Sequence, residues 1–134
     1  MITPQTALVY TMVIAAESDG EIADCEIKRI GDLVDHLPIF NGMGRPELAR
    51  LASHCSRTLA EAEPIDHVFD EIRDALSPAL RETAYALACD VIAADRRLNL
   101  SEMKTLERIR VQLAIDPSAA GVIERAAQVR FQAA

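Results

Sequence analysis

A pattern written twice is the strongest constraint in this sequence. Residues 80–113, LRETAYALACDVIAADRRLNLSEMKTLERIRVQL, read as a strongly apolar helix, a short acidic hinge and a second, amphipathic helix. A weaker copy of the same design occupies residues 7–37. Asp19 corresponds to Asp95, Ile22 to Leu98, Glu26 to Glu102, Lys28 to Lys104, Ile30 to Leu106, Leu33 to Ile109 and Leu37 to Leu113, each pair displaced by the same 76 positions with no gap. Apolar residues three and four apart on both sides of a hinge are a helical period, so the reading is helix, hinge, helix, twice over.

Nothing elsewhere in the chain competes with helices. No segment alternates apolar and polar residues over the length of a strand, only 4% of the residues are aromatic, and Ala and Leu dominate the apolar set. The expected fold is all-α, about seven helices in one compact bundle spanning residues 1–134 as a single domain. Folding a chain of this size removes about two thirds of its unfolded surface from water, enough for one core.

Proline and cap residues mark where those helices start. Thr3 with Pro4 opens the first, which runs to about residue 17 with an apolar stripe wide enough to be buried. Residues 18–22 form the first hinge. The second helix covers about 24–36, with Ile27, Ile30, Leu33, Val34 and Leu37 at helical spacing, and Pro38 stops it. The two glycines within residues 39–44 make that piece the best candidate for a flexible loop. Pro46 opens a third helix with the stripe Leu48, Leu51, Ala52, Cys55 and Leu59, ending before Pro64. A fourth covers about 65–76. Ser77 and Pro78 launch the apolar helix of the second copy. A sixth helix, starting around residues 99–102, points Met103, Leu106, Ile109 and Leu113 inward, and Asp116 with Pro117 begins a seventh, in which Val122, Ile123, Ala126 and Ala127 pack.

Composition excludes several functions. The formal charge of -7 makes the mean field repulsive to phosphate backbones, so nucleic acid is not an expected partner. Three widely separated cysteines, Cys25, Cys55 and Cys89, form no CxxC pair, which suggests neither a disulfide framework nor a thiolate zinc site. The apolar run of residues 7–16 lacks a basic leader and is short of the roughly 20 residues needed to span a bilayer, so no integral membrane segment is expected and the cytoplasm is the expected location. His36, His54 and His67 fall on three different helices as surface residues, and Cys55 lies on a core stripe. With no Gly-rich phosphate loop and no nucleophile beside a base, an enzyme is not expected.

The acids at the two hinges are open to two readings. Carboxylates brought together raise one another's pKa and destabilise a fold, and a divalent cation removes that cost. If the two copies pack about a pseudo-twofold axis, Asp19 and Glu26 approach Asp95 and Glu102, with Glu21 and Asp90 near enough to contribute. Oxygen ligands without His or Cys suit Ca²⁺ or Mg²⁺ rather than zinc. The plainer reading makes the acids helix caps. Asn99 and Glu102 have the spacing of a capping box, in which the Glu serves a backbone N–H and no metal is needed; in the first copy Ala23 stands at the cap position and leaves Glu26 less fully explained. The hinge is not an EF-hand: counting from Asp19, Gly20 falls at the second position rather than the sixth and Ile30 at the twelfth.

The stretch SDGEIADCE at residues 18–26, its echo AADRRLNLSE at 93–102 and the LRETAYALACDVIAAD between them resemble the TerB-like tellurite-resistance proteins. The resemblance covers nearly the whole chain. It implies an all-helical domain related in fold to the N-terminal region of DjlA-type co-chaperones, an association with tellurite and other stress resistance, and a divalent-metal site. The acids that carry over are Asp19, Glu21 and Glu26 in the first copy and Asp90, Asp95 and Glu102 in the second. Arg96 and Arg97 depart from the pattern, standing where the second hinge of the family has Gly and often another acid, and two cations beside Asp95 compete for it. Expected partners are other proteins of a stress-resistance complex, with peripheral membrane association and a homodimer left open. The alternative is a protein–protein interaction module without metal, its acids acting as caps and surface charge.

Overall fold

The computed structural model describes residues 2–17, 24–61, 65–93 and 100–132, and the side chains of residues 24 and 25 are not among those described. Among these residues there are seven α-helices and no strand: α1 (Pro4–Ala16), α2 (Asp24–His36), α3 (Arg45–Ala60), α4 (Ile65–Ala75), α5 (Pro78–Ala93), α6 (Leu100–Gln112) and α7 (Pro117–Arg130), with a 3₁₀ turn at Pro38–Phe40.

The helix starts obey local chemistry. Thr3 accepts a hydrogen bond from the Thr6 N–H with Pro4 in the first turn, and Asp116 accepts from the N–H groups of Ser118 and Ala119 with Pro117 behind it. Ser77 accepts from the Leu80 N–H at 3.3 Å. In each case a side-chain oxygen satisfies a donor that the helix itself leaves orphaned, while proline loses no hydrogen bond. The ends are satisfied by longer reach. Arg81 of α5 donates to the carbonyls of Leu76 and Arg73 at the end of α4, and Arg73 donates to the Gln112 carbonyl at the end of α6. Arg81 is thus a cap rather than a solvated charge. After α6, the Ile115 N–H bonds to the Arg110 carbonyl and the Ala114 N–H to that of Val111, closing a Schellman turn with Ala114 at φ 56°.

The centre of the bundle is α1 against α5, the most extensive contact between helices. Every residue of α1 from 7 to 16 is buried, which explains why the helix is apolar on all sides instead of along one stripe. The hydroxyl of Thr11, the polar residue buried at its centre, donates to the Ala7 carbonyl at 2.8 Å, so burying it leaves no unsatisfied group. Around this pair, α3 and α4 lie on α1, and α7 lies on α5. Helix α2 packs on both α1 and α5, and α6 on both α5 and α1. One contiguous apolar core, from Leu8 and Met12 through Phe69 and Ile72 to Ile109 and Leu113, joins all seven.

Four inward assignments fail. Ile27 is 54% exposed, Met103 52% and Val122 72%, and Ala126 is exposed as well. The cause is the same in α2 and α6. Neighbouring helical residues point about 100° apart, and the inward stripes are Glu26, Ile30, Val34 and Glu102, Ile109, Leu113, so the residue after each glutamate is turned out. In α7 the inward stripe is Ala120, Ile123 and Ala127, which rotates Val122 and Ala126 away. The segment expected to be a flexible loop after Pro38 is instead pinned: Phe40 and Met43 are buried in the core, and only Gly42, at φ +91°, needs glycine's freedom. All three histidines lie on the surface and Cys55 is in the core, as their positions predicted.

Candidate functional site

Glu26 and Glu102 both occupy the third position of their helices, α2 and α6. That register has two consequences. It places a carboxylate among the free N–H groups and positive dipole end of a helix, which favours negative charge. It also places the side chain in line with the apolar stripe one turn on. Glu26 is 5% exposed and Glu102 1%, and they are the only buried acids among the described residues. Both have interaction partners. Taking a carboxylate out of water costs several kcal/mol unless hydrogen bonds, a counter-charge or a metal compensate, so two such groups at one register are not incidental surface charge.

The other expected ligands separate into two groups. Asp19, Glu21 and Asp95, with Arg96 and Arg97, lie outside the described residues. Asp90, on the last turns of α5, pairs with Arg130 near the end of α7 and is largely shielded from solvent. Its carboxylate therefore already has a cation and ties α5 to α7. Among the described residues, no three His, Cys, Asp or Glu side chains converge as a metal-binding group. Glu26 and Glu102 fit an oxygen-liganded cation by donor type, whereas Asp90 would have to give up Arg130 first.

Sequence reasoning missed a second feature on the same side of α5. Helices α6 and α7 both pack on α5 far more than on one another, and the space between them is a cleft of about 530 Å³. Tyr85 reaches into it from α5 and donates its hydroxyl proton to Glu124 Oε2 of α7 at 2.5 Å. Phe131 of the α7 C-cap is part of the lining, with the Arg29 guanidinium of α2 stacked 4.6 Å from its ring centre. Each lining stripe is visible at helical spacing, but the splay of two helices over a third is a tertiary property that no stripe encodes.

The thiols are poor candidates for chemistry. Burial first, and then Glu17, push Cys55 up to about 12, and burial followed by Glu124 and Asp90 does the same to Cys89. Neither is a thiolate at neutral pH, so neither is a ready nucleophile or metal ligand.

The described residues thus define an all-helical bundle with a buried glutamate at the third position of α2 and of α6. The family model described as "Tellurite resistance protein TerB" matches residues 5–125, and the chain belongs to that family. Searches among curated proteins and among solved structures return no significant match. No helix among the described residues is long and apolar enough to cross a membrane.

Proposed function

We propose that this chain is a non-enzymatic helical module of a tellurite- or stress-resistance system, and that it binds a divalent cation, Ca²⁺ before Mg²⁺, through acids at the starts of α2 and α6. The observation that carries the reading is the burial of Glu26 and Glu102 at equivalent positions, each occupying a place in an apolar stripe where Leu or Ile would stabilise the core at no electrostatic cost. Asp19, Glu21 and Asp95 complete the proposed ligand set by their place in the sequence, and Asp90 stands behind it through its pair with Arg130. When bound, the ion supplies the positive charge that offsets repulsion among these carboxylates. Glu26 and Glu102 hold it and set its distance from the ends of both helices.

We further propose that the two hairpins descend from one doubled unit. The packing supports this, because exchanging α1 with α5 and α2 with α6 maps the contacts of one hairpin onto those of the other. Partner proteins of a resistance complex, a cytoplasmic location, peripheral contact with a membrane and a homodimer belong to the same proposal. A second reading is favoured by the third-position register itself, which is where a capping-box Glu serves its own helix start. The chain is then an interaction module without metal.

Calcium and magnesium titrations by calorimetry, on chelator-treated wild type, Asp19→Asn, Glu26→Gln and Glu102→Gln, separate the two. The metal reading expects saturable heat and stabilisation of about 2.7 kcal/mol at a hundred-fold excess over Kd, lost in each variant. Binding that persists in both glutamine variants overturns the site. No heat with wild type, together with glutamine variants as stable as wild type without metal, is the outcome for caps, because Gln serves at that position as well as Glu.

A further inference from the structure

The cleft between α6 and α7 is separate from the acids at the helix starts and has its own chemistry. Its volume, about 530 Å³, falls within the roughly 300–1,000 Å³ of small-molecule sites. Cys89 and Ile92 form the floor, and Leu106, Ala127 and Phe131 line the sides. An apolar hollow of this size on a protein surface is an opening for an apolar group, since burying such a group there removes two hydrophobic surfaces from water at once.

The polar groups in it select a charge. Glu124 is half-buried, and Tyr85 takes one of the acceptor sites of its carboxylate, which orients the group and leaves other lone pairs for a ligand. Glu107 of α6 adds a second carboxylate, against Arg110 as the cation among the described lining residues. Among the lining residues two carboxylates stand against one cation, with the Arg29 guanidinium stacked on Phe131 at the edge of the site, in a chain of formal charge -7, and low-dielectric walls concentrate that field. The Cys89 thiol beneath is held neutral by burial, so the floor adds no reactive group.

We infer that this cleft binds a small amphiphile, an apolar chain ending in a protonated amine, with the chain along Ile92, Leu106 and Phe131 and the ammonium at Glu124. The half-exposure of Glu124 matters: the ammonium keeps part of its hydration while meeting a carboxylate fixed by Tyr85. Occupancy ties α6 to α7 across α5, joining two helices that otherwise touch little.

Decylamine, decanol and decanoate make a matched set of probes, titrated below their micelle concentrations by calorimetry and by two-dimensional NMR, in enough salt to screen the overall charge. Decylamine binds one site per chain and shifts signals of α5, α6 and α7, and it binds roughly ten-fold tighter than decanoate, the scale of one partly desolvated charge pair. Glu124→Gln keeps an acceptor for Tyr85 and removes the charge, which brings decylamine to the affinity of decanol. Decanoate binding as tightly as decylamine assigns the cleft to Arg110 and an anion, and overturns the proposal. So does the absence of binding by all three, a shift pattern away from the cleft, or a Glu124→Gln variant that holds decylamine unchanged. The ranking of probes on wild type stands whether or not that variant folds.

Discussion

Raising the pH should unfold this protein through its buried thiols and phenols. All four displaced groups move in the same direction: burial raises Cys55 and Cys89 to about 12, and burial likewise raises Tyr10 and Tyr85, the latter helped by its hydrogen bond to Glu124. A group whose folded pKa lies above its unfolded one contributes stability that is complete below the unfolded value and is lost as pH rises through the folded value. For the thiols that window runs from about 9 to about 12. At pH 10 an unfolded thiol is mostly ionised while a folded one is not, which costs between 1 and 2 kcal/mol each, or roughly 3 kcal/mol for the pair. That is a large share of the ~5–15 kcal/mol a domain of this kind has to lose.

The assay is urea unfolding followed by circular dichroism at intervals from pH 7 to 10.5, on wild type and on Cys55→Ala combined with Cys89→Ala. Cys25 is common to both and cancels. The double variant starts less stable at pH 7, because each site loses its sulfur packing, but its curve is flatter and the two converge as pH rises. Parallel curves refute the reasoning, since the alkaline loss then comes from elsewhere.

Two smaller predictions test the backbone. Ala114→Gly relieves a left-handed residue at the end of α6, at φ 56°, and raises the urea midpoint by the equivalent of roughly 0.5–1 kcal/mol; a lowered midpoint means that the Schellman turn carries no strain. Gly31→Ala, within α2, sets a new Cβ 2.1 Å from the present position of Arg45 Nη1, so the exposed Arg45 side chain has to swing off its 2.6 Å contact with Asp35. A surface ion pair is worth about 0–1 kcal/mol and Ala gains about 1 kcal/mol over Gly in a helix. The variant is neutral to slightly stabilised, and a loss above about 1 kcal/mol shows Arg45 to be held more firmly than an exposed pair allows.

How far the fold could be read beforehand depended on the range of the forces involved. Thr3 with Pro4, Ser77 with Pro78 and Asp116 with Pro117 announce their helices because a cap and a proline act on the next turn of the same chain. Side-chain direction was harder. Ile27 and Met103 satisfy a stripe on paper, but the structure gives the inward place to the preceding glutamates, and a rule that ranks Glu as exposed selects the wrong neighbour. Phe40 was lost for a similar reason: two glycines nearby suggested mobility, while one buried ring fixes the segment. At the candidate site, the register of Glu26 and Glu102 was legible and their burial was not. Asp19, Glu21 and Asp95 lie beyond the described residues, so the ligand set rests on the sequence for those three.

The encirclement of α1 sets the order of events during synthesis. This helix leaves the ribosome well before its principal neighbour α5, which ends at Ala93, so at ordinary elongation rates roughly 4–15 s pass before the two can meet. Until then α2, α3 and α4 can cover only part of its run of Ala, Leu, Val, Met and Ile, and the face that α5 takes stays bare. Cellular chaperones that guard emerging apolar segments therefore have their target in α1, and release waits on a helix translated much later.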